Sequence, residues 1–158
     1  MEPGSEPFRV DDPSVVAALH QAGWAAGRQF DSSTWLDMLE NAGFEINGQA
    51  RCAWSEFGDL TIRSSESRAP ASSLRIDPVD ACIDSIDEFI KLRRELALNY
   101  SPLGMWSVQF RAYIGSNGKV IAIGPKTMWN LGDSLVEALS FIVNGNGSGN
   151  HAESVEWF

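Results

Sequence analysis

Apolar residues recur along this chain in short, separately punctuated runs. Val15 or Val16, Leu19 and Ala22 fall on one side of a helix. Asp12 precedes that run as a cap, Pro13 suits its first turn, and Gly23 stops it. The pattern repeats at Trp35, Met38, Leu39 and Ala42, with a cap among residues 31–33 and a stop at Gly43. A third helix is expected over 49–57, where Ala50, Ala53, Trp54 and Phe57 share a face and Gly58 follows. The period then falls to two. Residues 60–64 and 74–76 alternate as strands do, across a Ser/Ala/Pro-rich loop at 64–73.

Asp77-Pro78 opens what the spacing predicts to be the longest helix. Val79, Ile83, Ile86, Phe89 and Ile90 point inward on that wheel, and Asp80, Asp84, Asp87 and Glu88 outward. Lys91, Arg93 and Arg94 come late, where a helix end favours cations. Residues 105–124 carry two or three strands, with a hairpin at Asn117-Gly118, since both residues tolerate positive φ. "PKTMWNLGD", residues 125–133, reads as a loop carrying Trp129. Asp133 starts a last helix with Leu135, Ala138, Leu139 and Ile142 inward. Residues 144–150 have the composition of a flexible linker, and 151–158 either stay undocked or attach by Trp157 and Phe158. Helices, strands, helix, strands, helix is the order of an α+β fold with an antiparallel sheet. One domain is expected over 13–145, with an N-terminal extension at 1–12 and a flexible tail at 146–158.

Two short helices stopped by glycine raise the question of a helix-turn-helix reading DNA. Charge argues against it. The 158 residues hold 12 Lys and Arg against 21 Asp and Glu, a net charge of −9, and an acidic surface repels phosphate backbones. The would-be recognition helix carries Asp37 and Glu40 and no basic residue. Its link to the preceding helix, 23–31, is longer than the usual three or four residues.

Enzyme signatures are equally thin. His20 and His151 are the two histidines. His151-Ala152-Glu153 matches half of a zinc-deaminase signature, without the P-C-x-x-C half. Cys52 and Cys82 are too scattered to hold a metal and read as buried thiols. No P-loop, G-x-S-x-G or dinucleotide fingerprint occurs. No catalytic residue, metal or cofactor is therefore expected. No apolar run approaches the roughly 20 residues of a membrane span. "MEPGSEPFRVDD" lacks a basic and an apolar leader region, so the expected location is the cytoplasm.

Two surface features remain. Asp80, Asp84, Asp87 and Glu88 form either a solvated helix face or a docking patch for a basic protein. Trp129 either packs beneath its loop or anchors a partner, as tryptophans do at interface hot spots.

Read in order, "GWAAGR" (23–28), "WLDMLENAGFE" (35–45), "AWSEFGDLTI" (53–62), "IDP" (76–78), "SPLG" (101–104), "SNGKVIAIG" (116–124) and "LGDSLVEAL" (131–139) form a set. It resembles the SUKH superfamily, specifically its third subfamily, over roughly residues 13–145. The resemblance implies a single α+β domain with a central antiparallel sheet flanked by helices. It also implies a role as an immunity protein of bacterial polymorphic toxin systems. Such proteins bind and neutralise a cognate toxin, often a nuclease or nucleic-acid deaminase. The superfamily includes fungal cell-wall regulators too, so a regulatory or scaffold module binding a host protein or small ligand is the alternative. The matching positions here are Trp24, Gly27, Arg28, Phe57, Gly58, Asp77, Pro78, Gly118, Gly132 and Leu139, read as structural. Arg28 is expected to tie down backbone carbonyls rather than face a ligand. After Phe57-Gly58, where the family pattern has a small residue, stands Asp59. On this reading an acidic protein occludes a toxin's basic cleft and needs no chemistry of its own. A fold this size exposes roughly 7,800 Å², of which a standard interface takes about 800 Å².

Overall fold

A computed structural model describes residues 8–145 and the backbone of 151–154. The capped runs become helices α1 (Pro13–Ala22), α2 (Ser33–Asn41) and α3 (Gly48–Phe57). Asp12 caps α1 through Ser14 N at 2.9 Å, and Gly23 closes it in the left-handed region. Strands β1 (Thr61–Arg63) and β2 (Ser73–Arg75) follow. Then come α4 (Pro78–Cys82), α5 (Ile86–Leu96), β3 (Tyr100–Trp106), β4 (Phe110–Gly115), β5 (Val120–Gly124) and β6 (Thr127–Gly132). Helix α6 (Leu135–Asn144) and strand β7 (His151–Ser154) complete the described chain. The strands pair in chain order, each antiparallel to the next, into a seven-stranded sheet. This is the expected α+β class with its antiparallel sheet.

Strand alternation gives the sheet two working faces. Ala112 and Ile114 of β4, Val120 and Ala122 of β5, and Leu131 of β6 join the larger core beneath α1, α3 and α6. Tyr113, Ile121 and Ile123 point the other way, into a smaller core with Cys82 of α4, Leu92 of α5 and Tyr100. Ala50, Ala53, Trp54 and Phe57, the predicted face of α3, are all fully buried. The helix is capped by Asn47, whose Oδ1 accepts from Ala50 N at 2.8 Å. The Asn47 amide also donates to Ile114 O at 2.9 Å, which pins α3 to β4.

Several expectations are corrected. The long helix after Asp77-Pro78 is two helices, broken at residues 83–85. Asp84 and Ser85 are poor formers of helix interiors, which suits a break there. Past it the wheel loses its phase: Ile90 is half exposed, and Leu92, absent from the predicted face, is buried. Met38 is likewise exposed on α2. Trp129 lies in β6, not in a loop, because the turn occupies Pro125-Lys126 and pairing begins at Gly124–Thr127. Of Asn117-Gly118, Gly118 alone takes positive φ. The last helix is capped by Ser134, not started by Asp133. Parts of both expected appendages meet the domain. Phe8, in the supposed N-terminal extension, is buried with its ring 5.9 Å from Phe57. Residues 151–154, assigned to the tail, pair with β6, Ala152 opposite Trp129. The linker at 146–150 and the proposed docking of Trp157 and Phe158 lie outside the described residues.

Candidate partner-binding surface

The acidic residues after Asp77 do not stay together. Asp77 caps α4 through Asp80 N at 2.9 Å, and Pro78 is buried at its first turn. Asp80, Asp84 and Asp87 are exposed, on α4, in the break and in the first turn of α5. Glu88 turns inward. Its carboxylate accepts from Arg111 Nε at 2.7 Å, Arg111 Nη2 at 2.6 Å and the Tyr113 hydroxyl at 2.6 Å. With 12 % of its side chain exposed, Glu88 is a clamp between α5 and β4 and leaves the acidic surface. The missed signal lies on β4: Arg111 and Tyr113 alternate onto the face that α5 covers.

What remains is a mixed surface. Helix α2 packs beside α4 and adds exposed Asp37 and Glu40. Met38 (44 % exposed) and Ile90 (52 %) supply apolar side chains among these carboxylates. Periodicity missed both, because it places them in the core. In the late half of α5, Arg93 pairs with Glu45 and Arg94 with Glu95, while Lys91 adds a positive charge. Trp129 is not part of this surface. Its half-buried ring lies 5.2 Å from that of buried Trp106, in an aromatic group with Phe110 and Phe141 on the larger core.

Trp24, Arg28, Phe57 and Gly58 of the family pattern meet in one structural knot. Arg28 donates to Glu56 O at 3.0 Å and to Gly58 O at 2.8 Å, the backbone tie expected of it. Trp24 Nε1 donates to Glu56 Oε2 at 3.1 Å. Gly58 follows Phe57 with an ordinary φ of −54°, but a Cβ there would meet the Phe30 ring and Trp54 O at 2.4 Å. Asp59, the departure from the pattern, takes φ +66°. Its amide donates to Ile76 O at 2.8 Å, and its carboxylate holds Arg75 at 2.6 Å. Gly27 sits in the exposed turn before Arg28, and Gly132 ends β6 against Ala138.

No group of His, Cys, Asp and Glu that could hold a metal occurs among the described residues. Burial pushes the Cys82 thiol up to about 12, and the Cys52 thiol is raised for the same reason. Thiolate is the reactive form, so Cys82, which is fully buried, should resist thiol reagents in the native chain at pH 8. Labelling should follow the unfolding rate, and fast modification of Cys82 in native buffer would contradict its burial. No helix of the described chain is long and apolar enough to cross a membrane.

The described chain is thus an α+β domain that presents exposed carboxylates and apolar side chains on neighbouring helices. Residues 11–145 match the profile of the SUKH-3 immunity protein family, and the chain belongs to that family. Neither a curated protein nor a solved structure matches it.

Proposed function

We propose that this immunity protein neutralises a cognate toxin, a nuclease or nucleic-acid deaminase, by covering its basic cleft with the surface formed by α2, α4 and α5. It performs no catalysis, needs no cofactor and acts in the cytoplasm. The supporting observation is the combination on that surface. Asp80, Asp84 and Asp87 form no ion pair among the described residues, and exposed Ile90 lies one helical turn from Asp87. Charge steers association and selects partners. Affinity in the nanomolar range takes about 12 kcal/mol, which charge alone does not supply; buried anchors usually do. Met38 and Ile90 fill that role.

Asp84→Lys with Asp87→Lys should slow association with the cognate toxin domain by about tenfold or more at low salt, and flatten the salt dependence. Both side chains are exposed, so the fold should be unaffected. Stopped-flow rates at two salt concentrations measure this, and an unchanged rate constant at low salt places the interface elsewhere. Co-expression that fails to rescue cells from that toxin domain rejects the immunity reading for this pair. A regulatory module binding a non-toxic host protein is the second reading. No described feature favours it over the first.

A further inference from the structure

The chain also carries a groove lined by none of the residues of the acidic surface. About 400 Å³ in volume, it opens between the serine-rich loop at 64–72 and the turn joining β3 to β4. Its walls are firm. Ser65 N donates to Val143 O at 2.9 Å, and Arg68 Nε to Phe141 O at 3.1 Å, with the Arg68 guanidinium 5.1 Å from the Phe141 ring centre. The loop is thus strapped to α6. Ser72, buried at the groove floor, accepts from Trp106 Nε1 at 2.8 Å, and its amide donates to Ser64 Oγ at 2.9 Å. The hydroxyls of Ser64 and Ser73 have no acceptor among the described residues. Arg63, the one charged residue lining the groove, has no carboxylate partner there.

Val108 stands at the groove's lip. It is 81 % exposed, yet it takes φ +64°, and Ser107 before it takes φ +52°. Gln109 N closes the turn onto Trp106 O at 3.3 Å. Two positive φ values at the centre of a hairpin turn call for Asn-Gly. A β-branched residue in that region is a genuine outlier. The backbone would be less strained with glycine, and nothing in the fold packs over the valine. Strain of this kind concentrates at functional positions, which makes the exposed valine the starting point for a contact outside the fold.

We propose that this groove is a second contact surface, which takes a short segment of a partner protein carrying a carboxylate beside an aliphatic side chain. The carboxylate meets the Arg63 guanidinium and the free serine hydroxyls, as arginine and hydroxyl donors suit. The aliphatic neighbour rests on Val108 and Ala71. A nucleic acid is the poorer fit: one free cation on a chain of net charge −9 cannot position a phosphate backbone, which takes several. The proposal does not depend on the identity of any toxin.

The test uses the full chain, labelled with ¹⁵N, titrated with a capped Ala-Val-Glu-Val-Ala peptide, its Gln and Lys counterparts, and inorganic phosphate. Expected are amide shifts confined to 63–64, 71–73 and 107–109 with the Glu peptide. Affinity should fall about fivefold for the Gln peptide and for Arg63→Gln, the scale of an exposed ion pair. Val108→Gly should raise the melting midpoint by about 2–4 °C by relieving the turn, while weakening the Glu peptide several-fold. Four outcomes overturn the proposal: no shifts at about 5 mM peptide, well beyond ordinary contact affinities; shifts outside the groove; equal shifts from the Lys peptide; or phosphate reproducing the Glu pattern at equal affinity. A Val108→Gly chain that is stabilised but binds the Glu peptide as before removes Val108 from the site and overturns its two-part form.

Discussion

Replacing Glu88 with alanine is expected to destabilise the chain by about 3 kcal/mol, the lower end of the loss seen when one partner of a buried ion pair is removed. The lower end applies because Arg111 keeps 33 % of its side chain exposed and water can reach part of it. Glu88 holds three donors, two from Arg111 and the Tyr113 hydroxyl. Those hydrogen bonds raise the Arg111 guanidinium above its usual range, so it stays charged in either state, and alanine strands it. For a chain of this length the midpoint should fall by about 6–12 °C. Combining Glu88→Leu and Arg111→Met with Tyr113→Phe, which removes the hydroxyl that Glu88 also holds, should recover most of the loss, since an apolar set of similar volume is often neutral. A single variant within about 1 kcal/mol of wild type in urea unfolding would show that the clamp contributes little.

The same buried corner gives the fold an alkaline limit. Burial, then the neighbouring Cys82 and Glu88, holds the Tyr113 hydroxyl well above its ordinary value, and Cys82 is pushed from 9.0 to about 12. Both groups keep protons in the native state that the unfolded chain releases. Their contribution is therefore complete below about pH 9 and is lost as pH rises toward 12.

Where backbone preference and periodicity agree, the sequence was readable. Asp12-Pro13, Asp77-Pro78 and the glycine after α1 mark helix ends through chemistry local to a few residues, and all three stand where they were expected. The interior face of α3 was equally plain, since one uninterrupted wheel covers it. Legibility fails where the phase of a helix changes or where a partner lies far along the chain. The break at 83–85 put Ile90 outside and left Leu92 unnoticed. Glu88 looked like a solvent carboxylate because Arg111 and Tyr113 lie 23 and 25 residues away. The acidic surface was therefore only partly visible: Asp80, Asp84 and Asp87 were named, while the apolar side chains beside them were assigned to the core. The turn at Ser107-Val108 gave no signal at all, because neither residue is one that hairpins select.

Two glycines of comparable appearance in the sequence should behave very differently when replaced by alanine, and the contrast carries the second large effect. Gly118 sits in the β4–β5 turn at φ +94°, and a Cβ there would meet nothing closer than 3.8 Å. Its substitution strains one turn residue and should cost about 1 kcal/mol. Gly104 is in β3, beside the bulge between Pro102 and Gly104 that aims Pro102 O at the Trp54 indole, 3.0 Å away. A Cβ at Gly104 would lie 1.8 Å from Arg75 O and 3.1 Å from Asp77 N, both backbone atoms. No rotamer change relieves such a contact. Strands β2 and β3 must part, and Asp77, which caps α4 and so positions Asp80 and Asp84, must move with them. The loss should exceed about 4 kcal/mol, much of the total stability of a domain this size. Gly104→Ala should therefore be recovered unfolded or not at all, while Gly118→Ala folds and binds as wild type does. A soluble Gly104→Ala chain melting within about 2 °C of wild type would mean that the β2–β3 approach is looser than the backbone contact requires, and the placement of the acidic surface on α4 would need another support.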